Sequence, residues 1–512
     1  MTRTEPQYTG MASDNLTRTR WTVSTVSLNV PLLRETVLRT GGALFNTDIR
    51  GITVITHFNM QIDSQDGQGA VGPLIIHGPN SGNWDVDLGP VLIQDYVHET
   101  SFIAYQNEKT PTNFARADSI VVNGLGHDPA TGTGSYFNTK FTPGKKHLLR
   151  LVNSSAGTTF IFSIDNHPFQ VVANDLVAIQ PYTTTSLTIG IGQRYTIIVE
   201  ADQEPANYWI RTHPATGCNG FAESLGTCNG TAAGAPGIFD DTCVLFDIRT
   251  AIASYDSPNV TNTTLPTSTP FVYSVACLDE PAKNLKPVVP WIIDNRPANN
   301  ITRDRFTIGR QNPGLNDSVY EPGGYQHWEF TPDFFWIDFE NPTILNTSFQ
   351  GEFDKNFHVV EEPYVSGFIF MVFEASPMSP TPDDITVIPI SHPIHWHGHD
   401  VVVLAQNQSQ FDPTESFDYF NFDNPPRRDV VLLPEQGYIA IAMRADNPGA
   451  WLIHCHIAWH SSGGLAMQNL ESQNTIVNTL GGSTALNETQ RVCDNWRKFN
   501  DDHPIIQDES GI

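Results

Sequence analysis

Residues Pro448–Gln468 read PGAWLIHCHIAWHSSGGLAMQ. Cys455 stands between His454 and His456, and His460 follows four residues after His456. The apolar run Ala450–Ile453 comes directly after Asn447-Pro448-Gly449, a turn signal, and reads as a short buried strand. Successive side chains of a strand point to opposite faces. Cys455 therefore faces one way, and His454 and His456 face the other. One ribbon presents a thiolate to one metal site and two imidazoles to a second site behind it. The covalent bonds of Cys455 join the two. No common packing need produces this pattern.

A second stretch, His392-Pro393-Ile394-His395-Trp396-His397-Gly398-His399, places four of the chain's 17 histidines within eight residues. His395, His397 and His399 alternate, so on a strand they share one face, and His392 precedes them across a proline. A solvated histidine cluster or a zinc site is the plain alternative, and the Cys455 stretch weighs against it. His77, His98, His127, His147, His167, His213, His327, His358 and His503 are singletons and read as structural.

The chain has 512 residues, enough for two to four domains with substantial cores. Short Val/Ile/Thr/Phe runs between Gly, Pro and Asn clusters dominate, and helical periodicity is scarce, so the class is all-β. A formal charge of −27 argues against nucleic acid or an anionic membrane as partner. No run of 18 apolar residues is present, so no bilayer-spanning helix is expected. Ten Asn-x-Ser/Thr sequons, among them Asn229, Asn259, Asn262, Asn300, Asn346 and Asn407, suit a glycosylated extracellular protein. The opening MTRTEPQYTGMASDNLTRTRW has no apolar core and does not read as a signal peptide. Six cysteines are present, and reserving Cys455 for metal leaves five (Cys218, Cys228, Cys243, Cys277 and Cys493), an odd number for a secreted protein.

In chain order, residues 1–84 offer few credible strands before GAVGPLIIHGP at Gly69–Pro79. Residues 85–250 carry the runs VLIQDYV, HLLRLVN, TTFIFSID, HPFQVVAND, TSLTIGIG, RYTIIVEA and NYWIRTH, at the spacing of a β-sandwich or barrel. A Thr/Ser/Pro/Asn-rich linker is expected over 251–270, a second β unit with the histidine motifs over 271–470, and a mixed helical tail over 471–512.

Together the two histidine motifs, with GPLIIHGP, DLGPVLIQDYVHE, NPPRRDVVLLP and the terminal DESGI, resemble the multicopper oxidases, and among them the laccases of ascomycete fungi. The resemblance implies three cupredoxin-like β-sandwiches in series, the first incomplete here. It implies copper as cofactor: His392, Cys455 and His460 for the type 1 site, a blue-copper donor set; His395 for type 2; and His397, His454 and His456 for type 3. His399 is the motif's non-ligand histidine. The axial position falls at Leu465, which cannot ligate, so the potential should exceed that of a methionine-ligated relative. Met467 reads as packing. The implied reaction is one-electron oxidation of a small phenol or aromatic amine by a secreted monomer, with dioxygen reduced to water. The implied catalytic residues are His392, Cys455 and His460. An acidic side chain near His460 would take the phenolic proton, and no motif fixes which one. DESGI resembles the tail that plugs the oxygen channel in this fungal group.

The family's trinuclear cluster uses eight histidines, and four stand clearly here. The missing four belong to a His-x-His-Gly and a His-Ser-His motif of the first domain. Plausible codons for Trp21–Thr36, read from the third base, give Asp-Gly-Val-Asn-Gly-Val-Ser-Gln-Cys-Pro-Ile-Ala-Pro-Gly-Asp, which resembles the family's segment between those motifs. Codons for Arg50–Val54 read likewise give Trp-Tyr-His-Ser and a codon compatible with His. A coding sequence carrying frameshifts is therefore expected, with His57 a type 3 ligand or its neighbour and residues 1–56 poorly packed. The out-of-frame cysteine would restore the partner that family members give Cys493. The competing readings are a catalytically inactive secreted copper-binding protein and an ascorbate- or metal-oxidising relative.

Overall fold

Each strand-like run from VLIQDYV to NYWIRTH forms a strand in the computed structural model, because alternating Val, Ile and Phe side chains can bury one face against a second sheet. The structure describes residues 36–40, 43–47, 54–59, 71–76, 80–109, 117–128, 131–215, 218, 248–274, 276–293, 305–311, 327–331, 334–346, 352–362, 367–375, 390–479, 482–504 and 510.

Two sandwiches are built from these strands, each of one six-stranded and one five-stranded sheet. In the first of them the six-stranded sheet runs, in spatial order, Val177–Thr184, Phe169–Asn174, Arg194–Glu200, Lys146–Asn153, Val86–Tyr96, Ser119–Val122. It faces a sheet ordered Leu187–Ile189, Phe160–Ile164, Asn207–Pro214, Arg249–Tyr255, Phe137–Phe141. Leu149, Leu151, Phe160, Phe162, Ile197 and Val199 are fully buried between them. Each such side chain contributes roughly 1.5–3 kcal/mol, so this sandwich carries its own core.

The sandwich that follows pairs His327–Phe330, Arg305–Gln311, Phe368–Ala375, Tyr438–Arg444, Val401–Asn407 and Arg427–Arg428 with the sheet that matters for function. That sheet is ordered Val359–Glu362, Ala466–Glu471, Gly449–Cys455, His392–Trp396, Val430–Leu433. The Cys455 strand is thus central, with the His392 strand as its antiparallel neighbour. All-β architecture holds throughout, apart from short helices and the Ser483–Asp502 helix in the tail. Among the described residues no helix is long and apolar enough to cross a membrane.

Three features differ from the sequence reading. Arg249–Tyr255 is a strand of the sandwich, so the expected linker at 251–270 begins only after Tyr255; its Thr- and Ala-rich composition disguises a buried strand. Thr36–Thr40 and Ala43–Thr47 form a hairpin, and Val54–Asn59 pairs with Val71–Ile76, in a stretch where few strands were expected. His57 lies opposite Pro73 in that pairing, but its side chain falls outside the described residues, as do residues 1–35 and 50–53. Cys218 is bonded to Cys277 and Cys493 is buried and free, while Cys228 and Cys243 fall outside the described residues.

Candidate metal centre

Register explains how two metal-binding groups arise from adjacent strands. His395 pairs with His454 and Ile394 with Cys455. Cross-strand partners share a face, and residues three apart on a strand do not. His392, Ile394 and Cys455 therefore lie on one side of the sheet, and His395 and His454 on the other. His456 follows the strand's last residue, yet its N–H still donates to the Pro393 carbonyl at 2.7 Å, so the extended course continues through it.

On the inner face the Cys455 Sγ lies 3.6 Å from His392 Nδ1 and 3.7 Å from His460 Nδ1, and the two nitrogens are 3.3 Å apart. All three residues are buried. Trp328 stacks on His460 at 3.9 Å and meets His392 edge-on at 5.4 Å. Burial holds His392 down to about pKa 3, so its lone pair is available, and pushes the Cys455 thiol up, so that only a bound cation would keep it ionised. Leu465 is fully buried, its carbonyl accepting the Cys455 N–H at 3.0 Å and its own N–H bonded to the His460 carbonyl at 2.9 Å. A buried thiol and two buried imidazoles, with the apolar Leu465 beside them in the chain's hydrogen bonding, form a donor set whose chemistry fits a blue copper.

His460 rides on a helical turn, Ala458–Ser462, that other parts of the chain pin in place. The Ala458 N–H donates to Ala156 of the preceding sandwich at 2.8 Å, and Tyr105 donates its hydroxyl to the Ser462 carbonyl at 3.0 Å. Ser510, the one described residue of DESGI, donates its N–H to Ser462 and its hydroxyl to Ser461. Glu108, in the Ser101–Glu108 helix, puts Oε1 3.8 Å from His460 Nε2, on the ring edge away from the thiol. Sequence reasoning asked for such an acid and could not name it, because no motif links Glu108 to a histidine 352 residues later.

On the outer face the ring nitrogens of His395, His397 and His454 converge within 4.8 Å of one another. His397 Nε2 and His454 Nε2 are 3.1 Å apart. The His456 ring lies 5.5 Å from that of His395 and 5.7 Å from that of His454. His454 donates Nδ1–H to the Cys455 carbonyl and His395 donates Nδ1–H to the Asp429 carbonyl, both at 2.8 Å. Each therefore turns an Nε2 lone pair inward. Burial holds His454 at about 3 and His456 at about 4, and drives His395 and His397 well below the ordinary histidine value. Neutral imidazoles whose ring nitrogens converge in one buried place offer a donor set that suits copper.

His399 does not join that face, contrary to the alternation read from the sequence. The strand ends at Trp396, and Gly398 turns the chain with φ +73°. His399 then points at Glu471, with Nε2 2.9 Å from the carboxylate, and donates Nδ1–H to the His397 carbonyl. A side chain at Gly398 would run into Trp451, which is why the turn is glycine.

The sequence matches the multicopper oxidase family over residues 87–233 and again over 294–475. The chain belongs to the multicopper oxidases. This oxidase is 36% identical to a laccase of Arthroderma benhamiae over 89% of its own length and 70% of the relative's. It is 35% identical to a laccase of Botryotinia fuckeliana, Laccase-1, over 94% and 76%. The crystal structure of the Botrytis aclada laccase is similar to it with a TM-score of 0.76 at 32% identity, over 92% of this chain and 79% of that one. The oxidase is thus a copper-dependent oxidoreductase of the ascomycete laccase type.

Proposed function

We propose that His392, Cys455 and His460 hold the electron-accepting type 1 copper of this laccase-like oxidase, and that His395, His397, His454 and His456 are the half of the oxygen-reducing cluster contributed by this sandwich. His395 is assigned to type 2 and the other three to type 3. Bound copper supplies one-electron oxidation of phenols or aromatic amines and reduction of dioxygen to water. The observation that carries the reading is the convergence of one buried thiol and two Nδ1 atoms within 3.7 Å on one face, backed by the imidazole group on the other. Cys455 is joined by one peptide bond to His454 and by another to His456, a continuous covalent bridge between the two sites.

Glu108 is the acid that serves the substrate. A phenol whose oxygen docks at His460 Nε2 meets Glu108 Oε1 at the same edge, where the carboxylate accepts the hydroxyl hydrogen. Trp328 holds the His460 ring by stacking. Leu465, buried and bonded through its backbone to Cys455 and His460, has no side-chain donor to offer, which would favour a high potential for a copper held there.

No His-x-His-Gly or His-Ser-His motif precedes His392 in the sequence to supply the other half of the cluster, so no step is derived through a complete trinuclear group. Frameshifts over 21–36 and 50–54 account for this. Re-reading the coding nucleotides tests it: restored histidine pairs establish the full oxidase, and a confirmed frame favours the inactive copper-binding reading. Secretion as a monomer belongs to the same proposal. Asn259 and Asn262 are exposed and open to a glycan, whereas Asn153 is buried and donates to the Thr158 and Ile189 carbonyls. Copper per chain together with visible absorption is the direct experiment. A chain that binds copper without a blue band overturns the type 1 assignment.

A further inference from the structure

We propose that the preceding sandwich is a positioning scaffold for the histidine cluster, with the buried Arg194–Asp429 pair as the latch that orients His395. The inference rests on reading His395 as a metal ligand. Asp429 acts through two different groups. Its carboxylate receives Arg194 Nη1 and Nη2, both at 2.7 Å, across the junction between the sandwiches. Its carbonyl receives the Trp396 N–H at 3.0 Å and His395 Nδ1–H at 2.8 Å. The bond to Nδ1 selects the tautomer that leaves Nε2 as the metal-facing atom.

Arg194 reaches the cluster by a second route. Its Nη1 also donates to the Gly192 carbonyl at 2.9 Å, and Gly192 packs against the His456 ring with no room for a side chain. The pair is further locked by its neighbours. The Arg194 N–H donates to Asp175, which receives Arg428 Nε at 3.0 Å, and Arg428 donates to Asp279 at 2.6 Å. Without Arg194 the Asp429 carboxylate would be a buried, unpaired charge, and its drift toward water would draw the peptide carbonyl off His395.

Arg211–Asp165 is the natural control. It is an equally buried two-point pair, at 2.8 and 3.0 Å, inside the same sandwich and bonded to neither histidine group. The full chain would be compared as wild type, Arg194→Lys, the isosteric Asp429→Asn and Arg211→Lys. Three readouts serve: copper(II) titration followed by electron paramagnetic resonance, thermal unfolding, and 15N shifts of the metal-free histidines. Expected are a retained blue copper signal in all four, and a 10–100-fold weaker non-blue copper(II) site in the two latch variants, about the loss seen when a ligand's hydrogen-bond partner is removed. The metal-free His395 should carry its proton on Nδ1 in the wild type and in Arg211→Lys, and lose that preference in the latch variants. If Arg194→Lys does not fold, Asp429→Asn alone decides. Latch variants that match Arg211→Lys in copper affinity and in His395 shifts overturn the proposal. A wild type with no non-blue copper but with the tautomer effect present removes the ligand reading and leaves the latch standing.

Discussion

Gly192→Ala isolates a close approach between the two sandwiches at the cluster. Gly192 sits at φ +78°, where an L-residue costs roughly 1–2 kcal/mol. A Cβ there would lie 2.6 Å from His456 Nε2 and 2.9 Å from Cγ, and closer still to Cδ2. Ordinary carbon contacts need about 3.5 Å, so the ring must retreat by roughly 1 Å. The loop cannot yield instead, because the Gly192 N–H is bonded to Asn153 and its carbonyl to Arg194, both at 2.9 Å. Overpacking adds about 1–3 kcal/mol, for a total of roughly 2–5 kcal/mol. Metal sites tolerate displacements of only ~0.2 Å, so His456 should be lost as a ligand. Gly144→Ala is the matched control, since Gly144 has φ +72° with nothing within 4 Å of its added carbon. It should lose only the conformational part. Thermal unfolding and copper per chain compare them; equal stability and equal copper in both variants would refute the steric argument.

Three further outcomes are expected. Cys455→Ser should abolish blue absorption while the non-blue copper(II) signal from the opposite face persists; persisting colour would refute the ligand assignment. Glu108→Gln should lower kcat/KM for phenols by about tenfold or more, toward the ~10²-fold of a positioned base, and leave a one-electron donor that carries no proton, such as ferrocyanide, unaffected; equal losses on both would remove the proton-acceptor role. Burial holds the His213 pKa at about 4 against an ordinary 6.5, over the opposing pull of the Pro214 carbonyl. The unfolded chain therefore takes up a proton that the folded one refuses. Stability of the Val86–Tyr255 sandwich is complete above pH 6.5 and falls as the pH drops toward 4, by up to about 3 kcal/mol at about 1.4 kcal/mol per pH unit. His213→Gln should flatten that slope in unfolding measured against pH.

What the sequence disclosed was the chemistry carried by residue type and short spacing. Cys455 with its flanking histidines, and His392 three residues before His395, already specify two faces once a strand is assumed. The strand runs with clean alternation were equally legible. Val177–Thr184, interrupted by Pro181, and Arg249–Tyr255, placed beside a Thr-rich tract, were not: the first is a largely unburied edge strand held by its pairing with Phe169–Asn174, and the second is made a strand by tertiary burial rather than by pattern. The rest of the site depends on long-range approach or on backbone atoms. Arg428 meets Asp175 across 253 residues, and Arg194 meets Asp429 across 235. Asp429 orients His395 through a carbonyl that every residue type possesses, so no side-chain motif could have announced it. Gly398 shows the opposite limit: a repeating His-x-His-x-His pattern broke because one glycine ended the strand.

Parity is the vulnerable property of the central ribbon. Inserting a single residue between Gly449 and Cys455 would exchange its two sides, sending sulfur among the imidazoles and a ring against Trp328, and both centres would fail together. Substituting alternate positions, such as Ile394 or Ile453, reaches the side of the thiol alone. The surroundings of the thiol are therefore open to change one residue in two, while the ribbon's length in that segment is fixed.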